Sequence, residues 1–303
     1  MGDKLRNLIV RTLSGIVLLA VVVAAAWFGR FSYGALLLAI VAVGVWEFYS
    51  LARAKGVAPQ RCLGLLLSIA IFLTAFAMFI IVSTPYEEGL DGTTGVIMVA
   101  GASAGVGFGL ATLLLFLMFV IEVFRNKENP IHNIGTTLMG VVYVAMPMSI
   151  MLFVPLLLSA NGEMDYTEWQ PEYFLLYLFL VWGNDVFAYL VGILFGRHKM
   201  CVRLSPKKSW EGFFGGVAGS LAMGALAAWY VDGSYAMWMG LAVVVSLTSV
   251  IGDLVESMFK RDAGVKDSGN IMPGHGGMLD RFDALILSAP FAAAYICICH
   301  IIF

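Results

Sequence analysis

The chain has 303 residues, of which 60% are hydrophobic and only 13% charged, with a formal net charge of −2. A water-soluble domain carries about 25% charged residues, and a mean hydropathy of +0.90 lies far above that class. These values exclude a soluble globular protein, and the near-neutral balance gives no reason to expect a nucleic-acid partner; the chain is built for lipid.

Windows of largely apolar residues recur along the whole chain, each about long enough to cross a hydrocarbon core of roughly 30 Å as a helix. In order they run Leu13–Phe28, Tyr33–Ala52, Cys62–Val82, Thr94–Phe124, Gly135–Leu158, Tyr173–Phe195, Gly212–Val231, Ala236–Phe259 and Ala284–Phe303. The expectation is an all-α, polytopic membrane protein with about nine transmembrane helices. Ala24-Ala25-Ala26 offers small residues of the kind a signal peptidase cuts, but the chain retains Met1 and the segment is taken as a span.

Charge sorting between these windows sets the orientation, because cytoplasmic loops keep Lys and Arg. When alternate loops are assigned to one side, all 18 basic residues except Arg30 fall there. The opposite loops are acidic, with Glu87, Glu88 and Asp91, then Glu163, Asp165, Glu168 and Glu172, then Asp232. The N-terminus is therefore expected in the cytosol and the C-terminus outside. Adding or losing a helix would scramble the sorting downstream, so the charges also support the span count.

Cys62, Cys201, Cys297 and Cys299 form no C-x-x-C pair, and neither a disulfide nor a zinc site is expected. In the fourth span Gly101, Gly105 and Gly109 stand four apart, and in the seventh Gly212, Gly216, Ser220 and Gly224 do the same. Both ridges predict close helix packing, with the seventh helix deep in the bundle.

Ionisable groups inside apolar spans cost at least about 2.5–3.5 kcal/mol unless paired or wet. Glu47 and Glu122 lie toward the cytosolic ends of their spans, where they can reach water or pair with Arg53 or Arg125. Asn184 and Asp185 lie about 15 Å deep at 1.5 Å per residue, too far for a short side chain to snorkel. Asp185 is expected to line a polar cavity, pair with a cation or bind a ligand; the bland alternative is a buried structural hydrogen bond.

Near the C-terminus the charges concentrate. Asp253, Glu256, Ser257 and Lys260 stand at i, i+3, i+4 and i+7, one polar stripe on a helix. Asp280 and Asp283 open the ninth span, where capping and dipole compensation would be their bland role. Between the two acidic ends lies "PGHGG", whose Gly274, Gly276 and Gly277 permit unusual backbone and close ligand approach. His275 suits a turn-stabilising hydrogen bond as well as phosphate contact or proton transfer. Upstream, Lys207 and Lys208 precede a Gly-rich helix start, fit either to attract lipid headgroups or to clamp a polyphosphate. Carboxylates mixed with Lys and Arg beside a Gly-rich turn suit Mg²⁺–phosphate chemistry.

The residues resemble phosphatidate cytidylyltransferases, the CDP-diacylglycerol synthases. The family's C-terminal signature is filled by Ser257, Lys260-Arg261, Lys266-Asp267, His275-Gly276-Gly277, Asp280-Arg281 and Asp283, with Met272 where the pattern usually has Leu, Ile or Phe. "SPKKSWEG", "GDLVES" and the Asn-Asp…Gly-Arg segment extend the likeness over roughly the last 120 residues. The resemblance implies transfer of a cytidylyl group from CTP to phosphatidic acid, a Mg²⁺ requirement with K⁺ as second cation, and a homodimer. It implies metal-binding carboxylates at Asp253 and Asp280, with Asp283 next. Lys207, Lys208, Lys260, Arg261, Lys266 and Arg281 would share the phosphates. The chain is then one transmembrane domain whose first 170 residues are mainly scaffold, followed by a catalytic half, 171–303, with cytosolic loops 196–211 and 260–283. A secondary transporter using Asp185 and Asp253 as ion or proton sites is the rival; it accounts for the intramembrane acids and leaves the dense Lys/Arg/Gly loop without a role.

Overall fold

The computed structural model describes residues 3–84, 90–159, 169–271 and 276–302. Its helices are α1 (Asp3–Trp27), α2 (Arg30–Ala54), α3 (Arg61–Val82), α4 (Leu90–Arg125), α5 (Pro130–Gly140), α6 (Met146–Met151), α7 (Val154–Ser159), α8 (Pro171–Phe195), α9 (Trp210–Tyr230), α10 (Tyr235–Asp262) and α11 (Leu279–Ile302). A π-helical turn, Val141–Ala145, joins α5 to α6. Pro147 explains it, since a residue without an N–H cannot bond the carbonyl four residues back and the helical register widens.

Among the described residues eight spans are long and apolar enough to cross a bilayer, with Pro130–Ser159 as one of them; a shorter apolar helix, Thr12–Trp27, precedes them. The expected nearly all-helical, polytopic architecture is therefore present, and the chain is an integral membrane protein. Lipid explains its surface: Phe108, Val123 and Phe124 are 76%, 77% and 82% exposed on α4, which water would penalise and hydrocarbon does not.

The chain divides into two compact units. The first comprises residues 1–153, 165–169 and 262–281. Its core is built on α2, where Tyr33, Leu37, Val41, Val45 and Tyr49 are fully buried. Each buried phenol finds a backbone acceptor: Tyr33 Oη donates to the Met151 carbonyl at 2.6 Å and Tyr49 Oη to Thr137 at 2.7 Å. Pro155 cannot donate to Met151, so the tyrosine satisfies a carbonyl that the helix leaves open. Glu122 lies in a buried network, accepting from Gln60 Nε2 at 2.6 Å, Asn133 Nδ2 at 2.9 Å and Arg125 Nη1 at 2.6 Å. The expected Glu122–Arg125 pair is present.

The glycine ridge of α4 departs from expectation. A Cβ built on Gly101, Gly105 or Gly109 meets no atom within 4 Å among the described residues, whereas one on Gly107 would lie 2.1 Å from Thr74 Oγ1 of α3. Close packing uses Gly107, which the four-residue spacing skips.

The second unit comprises residues 154–164, 170–261 and 282–303. Here the α9 ridge behaves as expected. A Cβ on Gly216 would lie 2.6 Å from Asn184 Oδ1 of α8, and one on Gly224 would lie 2.8 Å from the Trp238 carbonyl of α10. Ser220, fully buried in the same ridge, places its hydroxyl 3.2 Å from the Leu180 carbonyl and 3.1 Å from that of Ala242. Between α8 and α9 the chain forms not a plain loop but an antiparallel hairpin, β1 (Lys199–Cys201) and β2 (Ser205–Ser209), with Lys199 opposite Ser209.

Candidate active site

In the second unit the polar stripe of α10 meets the start of α11. Asp253, Glu256 and Asp283 each offer a carboxylate oxygen, and these oxygens lie within 4.8 Å of one another. Helix packing brings them together: a Cβ on Gly252 would lie 2.6 Å from the Asp283 carbonyl, so only glycine lets α10 approach α11 this closely. Bringing three acids together is unfavourable unless cations offset them. Lys208 Nζ lies 2.6 Å from Asp253 Oδ2, and Lys260 pairs with Glu256. Ser257 Oγ donates to Asp253 Oδ1 at 3.3 Å, and Asp283 Oδ1 accepts from Ala284 N at 2.8 Å.

Beside this cluster a cavity of about 530 Å³ is lined by Asn184 and Asp185 from α8, Lys207, Lys208 and Ser209 from β2, and Asp253 from α10, with apolar walls that include Ile193 and Phe213. Asp185 thus lines a cavity whose walls are mainly apolar, while Asn184 is 1% exposed and its Oδ1 accepts from Ser246 Oγ at 2.6 Å. The hairpin over the cavity is tied down at both ends. Ser209 caps α9 by accepting from Gly212 N at 3.2 Å, and Glu211 accepts from the amides of Arg197 and His198 at 3.1 and 3.2 Å.

In the first unit Asp280 ties Ser268 to Gly277. Its Oδ2 accepts from Ser268 N at 2.8 Å, Ser268 Oγ at 2.9 Å and Gly277 N at 2.8 Å. Gly276 has φ +86°, in the left-handed region, and a Cβ there would lie 2.6 Å from Asp280 Oδ2. His275 lies outside the described residues. Arg261, Lys266 and Arg281 have exposed side chains.

The expected site residues therefore fall into two sets. Asp253, Ser257, Lys260, Asp283, Lys207, Lys208, Asn184 and Asp185 belong to the second unit; Asp280, Lys266, Gly276 and Gly277 belong to the first. α11 starts five residues earlier than its apolar window, so Asp280 and Asp283 both lie in its first turns.

Two acids gain roles that hydropathy and motif did not assign. Glu256 completes the carboxylate cluster, and its place in the stripe three residues after Asp253 was the available signal. Glu47 was expected to reach water or pair with Arg53; instead it is 5% exposed and accepts from Met278 N and Leu279 N, both at 2.9 Å. It caps α11 from α2, because the first amides of a helix lack intrahelical partners.

Three oxygen donors at these separations fit a hard divalent cation. Oxygens around one Mg²⁺ at about 2.1 Å in octahedral geometry stand roughly 3–4 Å apart, a small inward movement from the observed arrangement.

Comparison with known proteins shows the family. The model of the family described as "Cytidylyltransferase family" matches residues 9–299. A phosphatidate cytidylyltransferase from Synechocystis sp. is 31% identical over 311 residues, covering 94% of this chain and 95% of its own length. One from Haemophilus influenzae is 32% identical over 291 residues, covering 93% and 96%. One from Staphylococcus aureus reaches 46% over 180 residues, 58% of this chain and 64% of its own. With the acidic helix ends, the lysine-lined cavity and a match running nearly end to end, the chain belongs to the cytidylyltransferase family.

Proposed function

We infer that this membrane enzyme is a phosphatidate cytidylyltransferase, transferring CMP from CTP to phosphatidic acid and releasing pyrophosphate, in membrane phospholipid synthesis. The observation that carries the reading is near-full-length similarity to two enzymes of that name, and the carboxylate cluster beside a lysine-lined cavity supports it.

A phosphatidate oxygen attacks the α-phosphorus of CTP. The new P–O bond forms as the bond from the α-phosphorus to the bridging oxygen breaks, and pyrophosphate leaves. Two highly anionic reactants must be held together, so positioning and charge neutralisation supply most of the acceleration. Phosphatidate is already anionic near neutral pH and needs no strong base. Lys207 and Lys208 bind the triphosphate in the cavity, with Asp185 facing the nucleotide and buried Asn184 supporting the wall beside it through Ser246. Lys260, Arg261, Lys266 and Arg281 share the remaining phosphate oxygens. Lys208 and Lys260, paired with Asp253 and Glu256, are positioned to turn toward phosphate when the substrate enters.

Mg²⁺ is proposed as the cofactor, held by Asp253 and Asp283 with Glu256, and by Asp280 on the strength of the motif. When bound it neutralises charge on the phosphates. K⁺ as a second cation, a homodimer, and a bacterial-type cell membrane with the site facing the cytosol complete the proposal. Cytosolic orientation follows from the basic loops.

The test is purified protein with α-labelled CTP, phosphatidic acid and Mg²⁺. CDP-diacylglycerol and pyrophosphate should form in equal amounts, and Asp280→Asn should abolish both without unfolding the protein. A folded protein that makes no product across several detergents, with ion-dependent solute uptake in liposomes instead, refutes the reading.

A further inference from the structure

Glu47 sits on the buried side of α2, with Phe48 next to it in the sequence and Gly44 and Leu51 one turn away. A carboxylate in such a place is expensive unless its lone pairs are met. Its partners all come from one distant stretch of chain. Oε1 accepts from Met278 N at 2.9 Å, and Oε2 accepts from Leu279 N at 2.9 Å and Ser268 Oγ at 3.1 Å. The same Ser268 hydroxyl lies 2.9 Å from Asp280 Oδ2, which also accepts from Gly277 N. Glu47 and Asp280 together thus hold Ser268 and the backbone of Gly277, Met278 and Leu279.

The fit leaves no slack. A Cβ on Gly269 would lie 2.2 Å from Glu47 Oε1, and one on Gly277 would lie 2.5 Å from Oε2 and 2.3 Å from Ser268 Oγ. Gly269 and Gly277 are therefore small because the backbone rests against this carboxylate, independently of any ligand.

We propose that Glu47 is a positioning residue for cytidylyl transfer, fixing the backbone of Met278 and Leu279 and, through Ser268, the carboxylate of Asp280. This rests on the function inferred above. Glu47→Gln is the informative variant. Both carboxylate oxygens accept from amides, so the isosteric amide must turn its NH₂ toward a donor at one end, which disturbs the backbone at Met278 and Leu279 without opening a cavity.

The experiment measures kcat and the KM for CTP with full-length protein in detergent, beside a thermal melt. For Glu47→Gln, kcat should fall about 10- to 100-fold, as expected when reacting groups shift by up to 1 Å, while KM for CTP changes less than about threefold. Ser268→Ala should fall in the same direction, and the double variant should fall by less than the product of the two, since both act through one network. Glu122→Gln removes a buried acid of the same unit whose partners are Gln60, Asn133 and Arg125; it should lower thermal stability and keep kcat per folded molecule. An inactive wild type would defeat the functional reading itself. An active wild type with unchanged kcat in Glu47→Gln, or a loss no greater than Glu122→Gln shows, overturns the positioning role. If Glu47→Gln does not fold, Ser268→Ala decides alone, and an unchanged kcat there overturns the proposal.

Discussion

Gly252→Ala tests how tightly the carboxylate cluster depends on helix contact. The added Cβ would stand 2.6 Å from the Asp283 carbonyl oxygen and 3.1 Å from Leu287 Cβ, where ordinary contact begins at 3.4 Å. The nearest obstacle is main chain, so no side-chain rotation relieves it and α10 must retreat from α11 by about 0.8 Å, the difference between 2.6 and 3.4 Å. Overpacking of this kind costs about 1–3 kcal/mol. The same displacement separates Asp253, the next residue, from Asp283, and catalytic misplacement near 1 Å costs about 100-fold in rate. The measurement is initial velocity against Mg²⁺ concentration in detergent, beside a thermal melt. Expected are a lower melting temperature, a Mg²⁺ requirement moved to higher concentration and a roughly 100-fold lower maximal rate. Wild-type velocity and wild-type melting together would refute both the interhelical contact and its link to the carboxylates.

Asp253→Asn and Asp283→Asn should each reduce Mg²⁺-supported activity by at least about 100-fold, read from a Mg²⁺ titration, because each removes an anionic oxygen from the cluster. Lys208→Ala should raise the KM for CTP about tenfold and weaken protection by CTP in a thermal melt, since an ammonium at the cavity wall is lost. Tyr49→Phe deletes a buried hydrogen bond to Thr137 and should cost about 1 kcal/mol of stability with kcat unchanged.

Much of the site was legible because Lys, Arg, Asp and Gly stand out against an apolar chain and because their spacing is helical. Asp253, Ser257 and Lys260 read as one face, and they are one face. Asp280 and Asp283 read as a helix start, and α11 does begin at Leu279. Glu47 resisted because its partners are main-chain amides of Met278 and Leu279 and the hydroxyl of Ser268, none of which brings a complementary charge. The hairpin resisted as well: Pro206 and several lysines suppress any strand signal, and short pairing held by its flanks needs little intrinsic preference. The two glycine ridges had the same spacing and different outcomes. A four-residue period states that a helix has a flat side, and only the neighbouring helix decides whether that side is used.

The cap on α11 also bears on how the protein is made. Glu47 emerges from the ribosome 231 residues before Met278, the first of its amide donors. At about 5–20 residues per second, its carboxylate waits roughly 10–50 s inside or at the edge of the bilayer before those donors exist. The first compact unit includes residues 262–281, so a nascent chain released halfway holds the Glu47 carboxylate without the amides that donate to it. Such a fragment keeps an unpaired acid near the bilayer, and synthesis of the last helix supplies its partners.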